Sequence, residues 1–474
     1  MAKTNQTEAL LALIREGKPM SGRTQLYLIM QLSIPAILAQ VTNVMMFFID
    51  QAMVGSLGAE ASAACGLIES TTWLFGGIAS AASMGFSVQV AHFIGANDFT
   101  RARQVVRHGL ICTSFMALLL LIGAWIISPH LPYWLGGGDD IAADASTYFL
   151  IFAFGVPFFQ LNTLASSMLK CEGRMRVSST LSVLLCILDV VFNFLLIFPS
   201  RTISVLGTEV WVPGAGLEVA GAAIGTGLAF LVTSLLQSWF AFVRSRILSL
   251  SRFREPFRWV GSYLSNALRI GAPMALQSFL MSSAQIISTM IVAPLGNFAI
   301  AANTFAITAE SLCYMPGFGI GDAATTLVGQ SMGAGRRDLC SRFARLTVLC
   351  GMAVMTLMGV VMYVFAPEMM ALMTPVEEIR QLGTACLRIE AFAEPMFAAS
   401  IVTYCVCVGA GDTLRPSLIN LGSMWLIRLS LAYALASNYG LQGVWFAMAV
   451  ELCIRGLLFL VRLMRGRWMK ALPA

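Results

Sequence analysis

The stretch VMMFFIDQAMVGSLG (residues 44–58) places one carboxylate, Asp50, in an apolar run that stops at Leu57-Gly58. The chain repeats this ending 238 residues later, at Leu295-Gly296, where the mate of Asp50 is Ser288. The same offset carries Pro35 onto Pro273, Gly95-Ala96 onto Gly333-Ala334, Pro157 onto Pro395 and Gly173 onto Gly411. It also lays Phe154 and Phe159 of FAFGVPFF (152–159) on Phe392 and Phe397. One spacing held over roughly 140 residues marks an internal duplication, and the acid belongs to one copy only.

Each copy is built for lipid. The 474-residue chain is 58% hydrophobic and 11% charged, with a mean hydropathy of +0.78. An apolar helix of about 20 residues crosses roughly 30 Å of hydrocarbon. Such runs occur near 27–54, 61–94, 104–128, 146–168, 177–199, 219–243, 262–295, 299–332, 343–366, 385–409, 416–436 and 442–464. They predict an all-α integral membrane protein with twelve transmembrane helices in two pseudo-symmetric six-helix bundles. Residues 1–26 read as a cytoplasmic tail, 27–243 as an N-lobe with spans 1–6, 244–261 as a cytoplasmic linker, 262–465 as a C-lobe with spans 7–12, and 466–474 as a second cytoplasmic tail. Six spans per copy give both lobes the same orientation, and a parallel repeat of this kind puts the substrate pathway between them.

Charge sets the orientation. The polar start, with Lys3, Arg15, Lys18 and Arg23, is unlike a cleavable signal peptide. Arginine and lysine then gather after spans 2, 4, 6, 8 and 12: Arg101, Arg103 and Arg107; Lys170, Arg174 and Arg176; Arg244, Arg246, Arg252, Arg254 and Arg258; Arg336, Arg337, Arg342 and Arg345; Arg465, Arg467 and Lys470. The opposite loops have Arg201 and Arg380 as their main basic residues, and GGGDDIAADAS (136–146) carries acids only. The positive-inside rule therefore predicts a multi-pass protein of the inner membrane with both termini in the cytoplasm. The net charge of +6 follows from this topology and implies no nucleic-acid partner. Eleven scattered cysteines without C-x-x-C pairs read as packing residues, and no metal site, cofactor or enzyme activity is expected of them or of the three histidines.

Acids inside a membrane are costly, so each one needs a cavity, a partner or an ion. Asp50 falls in the outer half of span 1, and Asp189, in LLCILDVVFNFLLIF (184–198), falls deep in span 5 with Asn193 one turn further on the same face. Thr226 lies in the small-residue run GAAIGTGLAF of span 6, and Glu69 in the outer part of span 2. Bland readings exist: Asp50 and Glu69 as interfacial acids, Asp189 as a structural hydrogen-bonding group. No intramembrane lysine or arginine neighbours these acids in sequence, so their charge calls for a proton, Na⁺ or a cationic substrate. The C-lobe differs. Arg428 and Glu451 reach similar depths there, and a structural ion pair of Arg428 with Glu451 or Glu394 is expected, while Glu310, Asp322 and Glu390 add further acids.

These residues resemble the multidrug and toxic compound extrusion (MATE) family over nearly the whole chain. The resemblance is carried by FFIDQAMVGSLG in span 1, LDVVFNFLLIF in span 5, IVAPLGNFAIAANTFAI across spans 7 and 8, ATTLVGQSMGAGRR at the end of span 8 and MWLIRLSLAYAL in span 11. It implies a two-lobed antiporter that exports cationic or amphipathic compounds against H⁺ or Na⁺, working as a monomer in the bilayer. It places Asp50, Asp189 and Thr226 in the cation-coupling site of the N-lobe, and Asn193, one turn from Asp189 on the same face, joins them by position. Span 7 has Met281 where a NorM-like acid is expected, which brings the chain nearer the DinF-like branch; Leu185 in place of an asparagine favours H⁺ over Na⁺. Asn162, Gln160, Gln277, Gln285 and Glu69 are the candidates for the substrate cavity. The alternative within the same broad class, a flippase for a lipid-linked precursor, calls for a cationic cavity to hold a diphosphate. A receptor or scaffold would need no intramembrane acids in one lobe.

Overall fold

The computed structural model describes residues 2–135, 138–205, 208–253 and 255–469; Arg254, Lys470 and the first glycines of GGGDDIAADAS lie outside the described residues. In lipid each backbone polar group needs an internal partner, so the apolar runs become helices. The first half holds α1 (Ala2–Arg15), α2 (Gly22–Gly55), α3 (Ala59–Gly95), α4 (Phe99–Ile127), the short α5 (Leu131–Trp134), α6 (Asp139–Cys171), α7 (Met175–Ile197) and α8 (Glu218–Ser238). The second holds α9 (Gly261–Val292), α10 (Asn297–Gly333), α11 (Arg337–Met373), α12 (Glu377–Ala391), α13 (Glu394–Gly409), α14 (Leu414–Gly422) and α15 (Leu429–Arg465). The duplication survives in the backbone. Gly58 and its mate Gly296 precede α3 and α10 at φ 129° and 102°, and Gly173 and Gly411 turn the chain at φ 85° and 78°, values that side chains with a Cβ rarely adopt.

Among the described residues nine helical stretches are long and apolar enough to span a membrane, or ten if the α12–α13 pair, bent by 59°, counts as one. The twelve spans are recovered as follows. The 52-residue stretch Leu414–Arg465 is two spans meeting at Gly440, where φ is 59°. Helix α10 supplies span 8 although its hydropathy is lower, because its polar side chains are buried against neighbouring helices instead of facing lipid. In the N-lobe α6 packs on α3 and α8, and α7 lies between α2 and α8; in the C-lobe α10 and α13 pack on α11.

The lobes meet at the end that carries the arginine-rich loops, here called the basic end. A methyl group on Gly95 would lie 2.1 Å from the Gln330 carbonyl oxygen, and one on its mate Gly333 1.8 Å from that of His92. His92 Nε2 bonds the Gly409 carbonyl at 2.8 Å, and Gln330 Nε2 bonds that of Cys171 at 2.7 Å. His92 and Gln330 are themselves 238 residues apart, as are Cys171 and Gly409. The seam is thus closed twice by the same backbone geometry, about a pseudo-twofold axis.

Two features depart from expectation. Residues 2–15, read as part of a tail, form α1, because Leu11 and Ile14 bury themselves between Leu28 and Ile29 of the N-lobe and Leu327 and Phe343 of the C-lobe. Arg336 fixes its end through the carbonyls of Leu13 (3.2 Å) and Lys18 (2.8 Å). The loop between α7 and α8 contains an antiparallel hairpin, β1 (Pro199–Val205) and β2 (Thr208–Ala215), with Arg201 opposite Val212 and Thr202 opposite Trp211. Arg201, an exception to the charge rule, stacks over Phe198 and Phe194, 4.1 and 4.9 Å from the ring centroids.

The linker is docked on α4. Arg103 bonds the Ile247 carbonyl at 3.0 Å and pairs with Glu255, and Val260 N–H donates to His108 Nε2 at 2.9 Å. The Arg103 hydrogen bond holds the Glu255 carboxyl below the usual carboxylate range. A depressed folded value favours docking fully above the ordinary glutamate range and loses that contribution as pH falls through the depressed value. Limited proteolysis of residues 244–260 should therefore quicken on acidification; a linker in the Glu255→Gln variant that remained equally pH-sensitive would contradict this.

Candidate functional site

Helices α2, α7 and α8 bring the four predicted N-lobe residues together. Asp50 lies five residues from the far end of α2 and Asp189 eight from that of α7, or about 8–12 Å in at 1.5 Å per residue. Asn193 links them: its Nδ2 donates to Asp50 Oδ1 at 2.9 Å and to Asp189 Oδ2 at 3.3 Å. Thr226 and Asp50 both lie in the electrostatic neighbourhood of the Asp189 carboxylate. Asp189 and Asn193 are fully buried and Asp50 is half-buried.

Asp189 Oδ1 and Asn193 Oδ1 accept no well-formed hydrogen bond. Neither acid pairs with a lysine or arginine among the described residues. Two carboxylates bridged by one asparagine, one of them fully buried, repel when both are charged, and a shared proton or a bound cation relieves that repulsion. The geometry therefore suits exchange of a small cation.

Two residues complete the site that sequence reasoning did not single out. Gly225 on α8 leaves the space Asn193 occupies: a methyl group there would sit 2.0 Å from Asn193 Oδ1. Its signal was the small-residue run of span 6, which announces close helix approach without naming the partner. Tyr148 of α6 packs against Val54, Cys65 and Ile197, in the electrostatic neighbourhood of Asp50, Glu69 and Asp189. A tyrosine in an aromatic-rich span gave no sequence signal. Glu69 itself is half-buried and accepts from Trp73 Nε1 at 3.2 Å, with Trp73 edge-on to Phe47 at 5.6 Å.

The cavity candidates sit on α3, α6 and α9. Gln160 is buried between α6 and α3, donating to Ser83 Oγ at 2.9 Å, and Asn162 is buried nearby in sequence with Oδ1 unpartnered. Gln277 lies on α9 beside Tyr404 of α13. Gln285, two turns further along α9, is exposed.

The expected C-lobe ion pair is corrected. Arg428 bonds neither Glu451 nor Glu394: its guanidinium rests on the sulfurs of Met424 and Met448 and faces Glu310 and Glu390. Glu451 pairs with Arg455, one turn on along α15, at 3.1 Å. The spacing of four residues puts those two on one helix face, whereas Arg428 would have to cross between helices. Glu390 and Glu394 are fully buried with no hydrogen-bond partner on either oxygen.

The fold can be set beside known proteins. Two probable multidrug resistance proteins NorM are similar along almost their full length. That of Thermotoga maritima is 24% identical over 444 residues, 93% of each chain. That of Idiomarina loihiensis is 24% identical over 447 residues, 91% of this chain and 92% of the other. A crystal structure of MATE in the straight conformation superposes with a TM-score of 0.87 at 22% identity, covering 97% of this chain and 98% of that one. The MatE family model matches twice, at residues 35–195 and 273–434, once in each copy of the duplication. The chain therefore belongs to the MatE family of membrane transporters.

Proposed function

We propose that the chain exports cationic or amphipathic small molecules, drugs among them, in exchange for H⁺, with Na⁺ as the alternative coupling ion. The observation that carries this reading is the Asp50–Asn193–Asp189 constellation, two carboxyl groups joined by one asparagine and without a basic partner among the described residues. In the proposed cycle, cation and cargo compete for the N-lobe, and the lobes rock about the seam between an inward-open and an outward-open state. The coupling works through differential affinity of the two states for each ligand. The absence of an acid in span 7 and the retained Asp189 support a DinF-like arrangement. The NorM relatives' names support drug export as the cargo class.

In this reading the lobes are 27–243 and 262–465, both termini face the cytoplasm, and the protein works as a monomer in the inner membrane. The test is efflux of ethidium from proteoliposomes under isolated pH and Na⁺ gradients. A pH gradient alone should drive it; efflux that answers only to Na⁺ would transfer the coupling to the alternative ion, and none under either gradient would refute the antiporter.

Gly225→Ala probes the geometry of the site. The added methyl group displaces the Asn193 side chain from its link between the acids. We expect efflux to fall about tenfold, equivalent to roughly 1.4 kcal/mol at the coupling step, with a stability loss of about 1–3 kcal/mol from overpacking. Wild-type efflux from this variant would show the Asn193 link to be dispensable.

A further inference from the structure

Two turns along α10 from Gln330, one polar link across the seam departs from the repeat. Lys170 of α6 donates Nζ to Asp322 Oδ2 of α10 at 2.7 Å, and Gln40 Nε2 of α2 donates to the same oxygen at 3.3 Å. Among the described residues it is the ion pair that joins the N-lobe to the C-lobe. The duplication offset carries Lys170 to Val408 and relates Asp322 to Met84. Those two pack in one apolar cluster with Val88 and Ile270. The scaffold thus closes the mate of this place with apolar side chains, so closure alone does not call for charge. Nor is the pair sealed: Lys170 and Asp322 keep 27% and 18% of their side-chain surface exposed.

We infer that Asp322 is a binding station for the cationic group of the cargo when the lobes part at the basic end, and that Lys170 is the internal cation occupying it when they close. The inference rests on the export reading above. Lys170 moves with the N-lobe and Asp322 with the C-lobe, so parting of the lobes strips the carboxylate of its counter-ion. The carboxylate freed of its ammonium attracts a cationic molecule arriving from that side, because opposite charges this close favour each other even with water present. Closure returns the Lys170 ammonium, which competes with the cargo and drives it on toward the Asp50–Asp189 site. One acid with two alternative cations supplies the difference in affinity between states that transport requires. Gln40, bonded to the same oxygen, orients the carboxylate.

The test uses the full chain in proteoliposomes, with ethidium supplied on the basic-end side and an uncharged dye of similar size as control. Asp322→Asn should raise the KM for ethidium about tenfold or more, the scale of one lost charge contact, and leave that for the uncharged dye unchanged. Lys170→Met should lower the ethidium KM, since the acid has lost its internal competitor. The double variant Lys170→Val with Asp322→Met copies the apolar mate, preserving closure without the station, and should behave like Asp322→Asn. A wild-type ethidium KM in the double variant, or an equal rise for both dyes in Asp322→Asn, would mean that the pair serves closure only and would overturn the inference. Ethidium binding to the purified chain, read by fluorescence anisotropy, separates the two readings. Binding that depends on Asp322 without any efflux supports the station and removes the export reading; binding indifferent to Asp322 removes the station.

Discussion

Asp189→Asn should reduce gradient-driven efflux about a hundredfold or more, equivalent to at least roughly 2.7 kcal/mol at the coupling step. The substitution keeps the size of the side chain and leaves Asn193 in place, so the packing of α7 is preserved. What it removes is the carboxylate of residue 189, which can release and regain a proton or neutralise a bound cation. Asp50, half-buried at the edge of the site, then stands without its neighbour, and the repulsion that couples the two acids is gone. Asp50→Asn is expected to lose efflux as well. Binding of cargo from the basic end should persist in both variants, because Asp322 lies outside this site. Proteoliposomes measure both quantities, and wild-type efflux from Asp189→Asn would remove the N-lobe site from the mechanism.

Arg455→Met should destabilise the protein by about 3–5 kcal/mol, the usual consequence of breaking a buried ion pair. Glu451 is fully buried and Arg455 nearly so, and the pair meets at 3.1 Å. Glu390 lies in the same electrostatic neighbourhood with no hydrogen bond on either oxygen, next to Glu310 and Glu394. Loss of the guanidinium therefore leaves several carboxyl groups with Arg428 as their nearby cation. The double variant Glu451→Leu with Arg455→Met removes both charges and should recover most of the loss, since apolar replacement of such a pair is often neutral. Thermal unfolding in detergent tests this: a single variant no less stable than the double one would mean that the pair contributes little to the C-lobe.

The twofold plan was legible because the offset of 238 residues falls on prolines and glycines whose backbone roles recur, and the seam between His92, Gln330, Cys171 and Gly409 obeys it. Asp50 and Asp189 were legible as acids in apolar runs, and Asn193 as a residue one turn from Asp189 on its face. The Arg428 pairing was misread because position along a helix measures depth and says nothing of rotation about the axis; Arg455, four residues from Glu451, was the better partner by spacing alone. Gly225 was half legible, as part of a small-residue run whose partner the sequence does not name. Tyr148 and the hairpin at 199–215 were not legible: the first is one aromatic among many, and the second is a short alternation in what the apolar runs leave as a loop.

Proton counting on the purified protein shows whether Asp50 and Asp189 give up a proton when cargo binds. With a pH indicator in weakly buffered, Na⁺-free solution, ethidium added to the wild-type chain should release protons, because cargo and H⁺ compete for the carboxyl groups of Asp50 and Asp189. The Asp50→Asn, Asp189→Asn double variant should release none while still binding the dye. Equal release from both proteins would place the exchanged proton elsewhere and contradict the account.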